Sequence, residues 1–404
     1  MLLVGSGGRE HALAWKLSSR PGIELHAAPG NPGIAALGDC HPVRAEDAEA
    51  LLGLARSLDA ELVVVGPEAP LVAGVADELR RAGIAVFGPG RAAAQIEGSK
   101  AFAKDVMRAA GVPTAESLAV ARPPCVVKAD GLAAGKGVFV CRTAAELDEG
   151  LRAAAAFPGP LVIEELLEGE EVSLFALADG REVLPLAAAQ DFKRIDDDDR
   201  GPNTGGMGSY SPLPRPLLGP DEAEELVDLV HQPVVAELAR RGAPFVGVLF
   251  AGLMLTERGP RVLEFNCRFG DPETQSILPR LTGDLAGALR AAAGGDLTGV
   301  ELAASDSAAV TIVVAAPDYP ARSDHGTAIE GVEAAEQLGA LVFHAGTAQH
   351  GDRLVTNGGR ILNVTGTGDS IAAARELAYS ACARISFAGA RYRTDIALAA
   401  SGRA

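Results

Sequence analysis

The sequence predicts a protein of mixed α/β and α+β class, with an N-terminal parallel α/β domain, a central mixed region and a small C-terminal α+β domain. Three observations predict it. Short apolar strands alternate with helices through the first hundred residues, the pattern of βαβ units on a parallel sheet. After Ser99 this gives way to hairpin-like strands, a polar loop and a long helix. From about residue 305 a further, smaller strand-and-helix unit begins.

In the first domain, placed at 1–99, Leu2–Val4, Glu24–Ala27, Leu62–Val65 and Ile84–Phe87 read as strands. Glu10–Ser19, Ala45–Leu58 and Leu71–Ala82 read as helices. The loops after the strands are rich in Gly and Pro: Gly5-Ser6-Gly7-Gly8, Pro29-Gly30-Asn31-Pro32-Gly33, Gly66-Pro67-Glu68 and Gly88-Pro89-Gly90. Ligands of open α/β sheets sit beyond the carboxyl ends of strands, so these loops are candidate binding elements. The second region, 100–300, opens with a helix at Lys100–Ala110. Strands and hairpins follow from about 118 to 180, inside a lid subdomain expected at about 115–180. Then come a polar loop (Gln190–Pro216), a helix (Pro220–Arg241) and two apolar strands, Phe245–Leu255 and Arg261–Phe265. The third domain, 301–404, starts with the strand Ala309–Ala315 and closes with the helix Ser370–Ile385.

Bulk properties narrow the function classes. A chain of 404 residues makes roughly two to four domains. With 48% hydrophobic residues it can bury a full core. It has no apolar run of about 18 residues, so no membrane span is expected. The apolar N-terminus lacks a basic region and a small-residue cleavage site, which argues against a signal peptide. Five scattered cysteines with no C-x-x-C pair argue against a disulfide framework and a structural zinc site, and fit a cytoplasmic location. The net charge of −17 repels phosphate backbones, so nucleic acid is not an expected partner.

Four stretches carry polar residues in patterns that chemistry uses. In Val126–Val140, two β-rich runs flank Lys128-Ala129-Asp130-Gly131-Leu132-Ala133-Ala134-Gly135-Lys136-Gly137. Its glycines let backbone N–H groups approach phosphate, and the lysines add charge. It is not a Walker A loop: Gly137 stands where Ser or Thr is required, and a strand follows instead of a helix. The other reading is a hairpin loop with solvated lysines. Glu164-Glu165-Leu166-Leu167, with Glu171 beyond, suits a purine edge and a ribose, or is a charged turn. On the strand Val262–Phe265, Glu264 and Asn266 share a face, their Cα atoms about 6.6 Å apart. A carboxylate and an amide oxygen so placed suit magnesium, or form a solvated strand face. Gln190–Arg194 and Gly201–Gly208 place charge beside glycines, either for close approach to a ligand or as a mobile loop. Asp196–Asp199 reads as solvated loop, and His11 as a helix-face residue. Gly5–Glu10 sits at a helix N-terminus, which is anion-binding geometry. Glu10 replaces the third glycine of a dinucleotide fingerprint, and no acidic residue ends the second strand. A smaller phosphate ester is therefore favoured over a nicotinamide cofactor.

The order of these elements resembles the ATP-grasp superfamily. Gly5–His11, Gly30–Gly33, Gly66–Leu71, Lys128–Val138, Pro202–Gly208 and Leu263–Glu273 together resemble the phosphoribosylamine–glycine ligase (glycinamide ribonucleotide synthetase) family, from Met1 to about residue 390. The resemblance implies central ATP-grasp domains and a reaction: glycine, 5-phosphoribosylamine and ATP give glycinamide ribonucleotide, ADP and phosphate. It implies ATP contacts at Lys104, Lys128, Gly135, Lys136, Glu164, Glu165, Leu166, Leu167, Glu171, Arg194 and Asn203. Glu264 and Asn266 match ligands of magnesium, with manganese as its substitute. Gly7, Gly8, Arg9, Glu10, Asn31, Glu68, Asp191 and Gly270 match substrate-facing positions, and Arg268 and Asp271 match catalytic ones. The implied partners are small molecules only, and the implied state is a monomer or weak oligomer. Two departures stand out: the first strand is abbreviated, and Phe245–Leu255 lacks the second acidic metal ligand that many ATP-grasp enzymes carry there. Rival readings are another ATP-grasp ligase, a nicotinamide-dependent oxidoreductase and a non-catalytic nucleotide sensor.

Overall fold

The computed structural model describes residues 1–132, 137–157, 159–215 and 217–402. The first domain is a five-stranded parallel sheet in the order Asp39–Cys40, His26–Pro29, Leu2–Gly5, Val63–Val65, Val86–Phe87. Leu2, Leu3, Val4, Val63 and Val64 are inaccessible to solvent, as expected of a sheet covered on both faces. The short first strand is paired on both sides. The chain winds outward from Leu2–Gly5 in one direction and then returns to add Val63–Val65 on the other side. The loops after these two neighbouring strands therefore flank the switch point of the sheet, where such folds bind ligands.

Several local outcomes differ from the sequence reading. The single helix expected at Leu71–Ala82 is two, Glu68–Ala73 and Val75–Arg81, because Gly74 turns left-handed at φ +92°. The helix expected from Ala45 starts at Ala48, where the Asp47 carboxylate accepts the Ala50 N–H at 3.0 Å. The helices Pro32–Ala35 and Arg91–Gly98 and the strand Asp39–Cys40 escaped the pattern. Helix Lys100–Ala110 forms where expected. Ser99 caps its start and Gly111, at φ +71°, ends it.

The central region holds two sheets. Val138–Cys141, Cys125–Ala129 and Leu161–Glu165 form a small antiparallel sheet against helix Ala144–Ala154. Cys125, Val127, Cys141, Leu147 and Ala154 give it a core of its own. Glu170–Asp179, expected inside the lid, belongs elsewhere. It pairs along its length with Val246–Thr256, which in turn pairs with Gly259–Asn266. Helix Pro220–Arg240 packs on this second sheet through residues such as Val227, Val234 and Leu238.

The stretch 190–216 is not simply a loop. Gln190–Asp191 and Gly208–Ser211 are strands of the C-terminal sheet, in the order Gln190–Asp191, Gly208–Ser211, Ala308–Ala315, Arg360–Gly368, Leu341–His344. Gly208 lies opposite Ile312 and Ser211 opposite Ala309. Central and C-terminal regions thus share a sheet, which a boundary at 301 would cut. Helix Ile371–Cys382, capped by Ser370, packs on that sheet. Among the described residues, no helix is long and apolar enough to cross a membrane.

Candidate active site

The N-terminal switch-point loops, both central sheets and the C-terminal sheet enclose a cleft of about 780 Å³. One end is built around Glu164. Its carboxylate, 2% exposed, bridges two ammonium groups: Lys104 Nζ at 2.8 Å and Lys128 Nζ at 2.7 Å. Lys128 also donates to the carbonyl of Leu263 at 2.9 Å, and Lys104 to the Thr114 hydroxyl at 3.0 Å. Burial lowers the Lys104 pKa, and Glu164 opposes that shift. Two cations held this way form a ready seat for phosphate oxygens. The Glu165 carboxylate turns to the Glu116 N–H (3.1 Å) and to Arg258 (2.8 Å), so the chain Glu164–Leu167 borders the cleft along its backbone. Gly135 and Lys136 lie outside the described residues. Arg194 and Asn203 face each other across a hairpin and line the same cleft.

Further in, Glu264 and Asn266 line the cleft from the Gly259–Asn266 strand. Burial pushes the Glu264 pKa up, but Lys193, Lys128, Lys100 and Arg268 pull it below the usual range. Lys193 bonds Glu171 and stands 3.8 Å from Glu264. Burial alone would discharge Lys193, but Asp191, Glu171 and Glu264 hold it charged. The Asp191 pKa is raised as well: burial pushes it up, against the pull of Lys193. An ionised carboxylate oxygen and an amide oxygen on one strand, open to the cleft, fit a hard divalent cation that completes its shell with phosphate and water.

The far end is basic and acidic by turns. Arg268 is clamped between Glu68 (3.3 Å) and Glu97 (3.3 Å), and donates to the Phe269 carbonyl at 3.1 Å. Burial would raise the Glu68 pKa, but Arg268 and Arg9 outweigh it and hold the carboxyl at about 2. Arg9 donates to the Phe269 carbonyl at 3.2 Å and pairs with Glu10 at 2.5 Å. Glu10 also accepts the Gly7 N–H at 2.6 Å, so a carboxylate of the chain itself sits at this helix N-terminus. A Cβ on Gly5 or Gly66 would lie within 2.5 Å or 2.3 Å of Glu10, so both loops need glycine to close over it. A Cβ on Gly7 would lie 3.8 Å from Asp271 Oδ2. Asp271 in turn accepts from Gln275 at 2.9 Å and pairs with Arg360 at 3.1 Å. Gly270 abuts Glu273, and Gly8 abuts Asn363 and Gln275. Of the substrate-facing expectations, Arg9, Glu68 and Asp191 line the cleft, and Gly7, Gly8, Glu10, Asn31 and Gly270 do not. Asn31 has a structural task. It caps the Pro32–Ala35 helix through Ile34 N–H (2.9 Å) and donates to the carbonyls of Ser6 and His344, both at 2.8 Å.

Three family models match consecutive stretches of the chain: the N domain of phosphoribosylglycinamide synthetase at 1–97, its ATP-grasp (A) domain at 98–274 and its C domain at 309–399. A phosphoribosylamine–glycine ligase of Streptomyces coelicolor is 54% identical, with 100% of this chain and 99% of that protein covered. The chain belongs to the phosphoribosylglycinamide synthetase family. Membership makes it a ligase with an ATP-grasp core. The crystal structure of phosphoribosylamine–glycine ligase from Thermotoga maritima superposes with a TM-score of 0.84 at 34% identity, covering 98% of this chain and 99% of the other. The biotin carboxylase domain of Hydrogenobacter thermophilus 2-oxoglutarate carboxylase, solved with MgADP and bicarbonate, superposes at 0.71 with 19% identity, covering 96% of this chain and 91% of that one. That likeness shows the fold alone.

Sequence reasoning did not single out three residues that line this cleft. Glu97, which clamps Arg268, lies on a helix the pattern did not reveal. Glu273 is buried on the cleft wall, its pKa raised by that burial. Arg360 arrives from the C-terminal sheet, and no local signal marks it, because its partners Gly205 and Asp271 are distant in sequence.

Proposed function

We propose that this chain joins glycine to 5-phosphoribosylamine at the expense of ATP, through a glycyl phosphate, giving glycinamide ribonucleotide, ADP and phosphate in purine biosynthesis. The observation that carries the reading is the meeting, in one cleft, of the Lys104–Glu164–Lys128 set, the Glu264–Asn266 pair and the Arg268–Glu68 clamp. The glycine carboxylate attacks the γ-phosphate of ATP. Lys104 and Lys128 neutralise charge on the phosphates, and Arg194 and Asn203 hold the nucleotide at the hairpin. Glu171 faces its ribose, and Glu164–Leu167 border its base. Phosphoryl transfer of this kind depends on positioning and charge neutralisation. Glu264 and Asn266 would hold magnesium, or manganese in its place, which supplies electrostatic stabilisation to the transferring phosphoryl group. Arg268, fixed by Glu68 and Glu97, orients the acyl phosphate. Arg9, Glu68, Asp191 and Asp271 line the seat of glycine and phosphoribosylamine, and Glu10 and the Gly7-Gly8 and Gly270 backbones lie behind them. The neutral amine then attacks the carbonyl and phosphate leaves. The small sheet bearing Lys128 and Glu164 has its own core, as a body that moves to exclude water would need. The enzyme is expected to act in the cytoplasm as a monomer or weak oligomer.

The test is ADP release with Mg·ATP, glycine and phosphoribosylamine generated from ribose 5-phosphate and ammonia, omitting each component in turn. Turnover should require all of them. Glu264→Ala should lower kcat by about 10²–10³-fold, the size of effect seen when one electrostatic stabiliser is removed. Turnover that needs a carboxylate other than glycine would overturn the substrate assignment.

A further inference from the structure

The run Asp196–Asp199, read from sequence as solvated loop, is tied residue by residue to the segment 391–395. Arg391 pairs with Asp196 at 2.7 Å. Asp197 accepts the Thr394 backbone N–H at 2.8 Å and its hydroxyl at 2.5 Å. The Asp198 N–H donates to Asp395 at 2.9 Å, and Asp199 pairs with Arg393 at 2.7 Å. Arg393 is the centre of this strap. Its guanidinium, buried at 2% exposure, grips Asp395 through two bonds of 2.7 and 2.6 Å. It also donates to the Arg194 carbonyl at 3.1 Å and lies 5.0 Å over the Phe192 ring. Just beyond, Ala397, Ala399 and Ala400 line the same cleft as Arg194 and Asn203. A two-stranded hairpin is marginal by itself, so the Arg194–Asn203 hairpin depends on what holds it. Four adjacent carboxylates beside a seat for a polyanion also need counter-charge, and Arg391 and Arg393 supply it.

We propose that Arg393 is a positioning residue for the nucleotide: through the strap it fixes the Arg194 backbone, so the C-terminal domain sets ATP affinity. This rests on the reading that Arg194 and Asn203 contact ATP. Steady-state kinetics on full-length Arg393→Met, Arg393→Lys, Arg391→Ala and Arg194→Met test it, with ATP, glycine and phosphoribosylamine varied separately. Arg393→Met should raise KM for ATP about tenfold, the scale on which misplacing a binding group acts. The other two KM values should stay within about twofold. Arg393→Lys should recover part of the loss, since it keeps the charge but not the planar fork. Hydrogen exchange across residues 194–203 should quicken in ATP-free Arg393→Met and stay unchanged in the N-terminal sheet. Arg393 is buried and its Met variant can fail to fold. Arg391→Ala cuts only the partly exposed pair with Asp196, and should raise KM for ATP about two- to threefold. An unchanged KM for ATP in the folded strap variants, with a raised one in Arg194→Met, overturns the positioning role alone. No change in Arg194→Met overturns the nucleotide reading of the hairpin, and the proposal with it. An equal rise in all three KM values also overturns it, because it marks general loosening.

Discussion

Glu164 sits with both oxygens between two ammonium groups, Lys104 at 2.8 Å and Lys128 at 2.7 Å. Lys128 and Glu164 stand out in the sequence and Lys104 through the family resemblance, but their mutual contact does not, because they lie on separate elements. The arrangement makes Glu164 the counter-ion of the lysines when no nucleotide is bound. Removing one partner of a buried ionic set is costly, about 3–5 kcal/mol. Glu164→Gln should therefore lower the melting temperature of the nucleotide-free protein. Saturating Mg·ATP should narrow the gap to wild type, because phosphate oxygens then take over the lysines. Calorimetry with and without Mg·ATP reads both quantities, and an unchanged gap would count against phosphates binding there. Other residues were read in sequence as ligand contacts and do structural work as well. Asn31 caps a helix and bridges to the C-terminal domain. Glu10 closes its own helix N-terminus.

At the scale of elements, what was legible followed local chemistry. Helix Lys100–Ala110 announces both ends, with Ser99 as cap and Gly111 as stop. The break at Gly74 was not legible, because glycine is tolerated inside a helical pattern and only its left-handed φ of +92° ends one helix and starts the next. Gly74→Ala should destabilise the protein by about 1–2 kcal/mol, since an L-residue there pays for the left-handed conformation. Its Cβ would also lie 2.9 Å from the Arg91 guanidinium, which must shift. Urea unfolding gives the number, and a neutral or stabilising result would show that the turn relaxes without strain. The strands Gln190–Asp191 and Gly208–Ser211 were hidden for another reason: they are short, and their partners lie far along the chain.

For the whole molecule, the N- and C-terminal domains meet at two buried histidines. His11 Nδ1 accepts the His344 backbone N–H at 2.7 Å, and the His11 ring packs edge-on against Phe343 at 5.5 Å. A Cβ on Gly33 would collide with the His11 ring at 2.2 Å, so that loop glycine makes room for the contact. Burial, with His344 nearby, lowers the His11 pKa to about 3, and burial lowers that of His344 to about 4. An unfolded histidine titrates near 6.5. Between about 6.5 and 4 the unfolded chain binds protons that the folded chain refuses, so stability present above about 6.5 is lost as pH falls. Each histidine should contribute a slope of up to about 1.4 kcal/mol per pH unit in that window. Urea midpoints from pH 7 to 4.5 should fall, and His344→Gln should lessen the slope. An unaltered slope would mean that other groups control acid sensitivity.

The sequence by itself determined the class of each domain and the placement of the Gly-rich loops at strand ends. These follow from hydrophobic period, caps and turn chemistry, which act over a few residues. Tertiary structure alone decided that Glu164 joins Lys104 to Lys128, that Glu97 and Glu68 clamp Arg268, that Arg360 reaches Asp271, and that Asp196–Asp199 are bound by the strap. Each of these is a charge brought to a partner distant in the chain. A local pattern can show that a charge needs a partner, but only the folded packing of sheets selects which one.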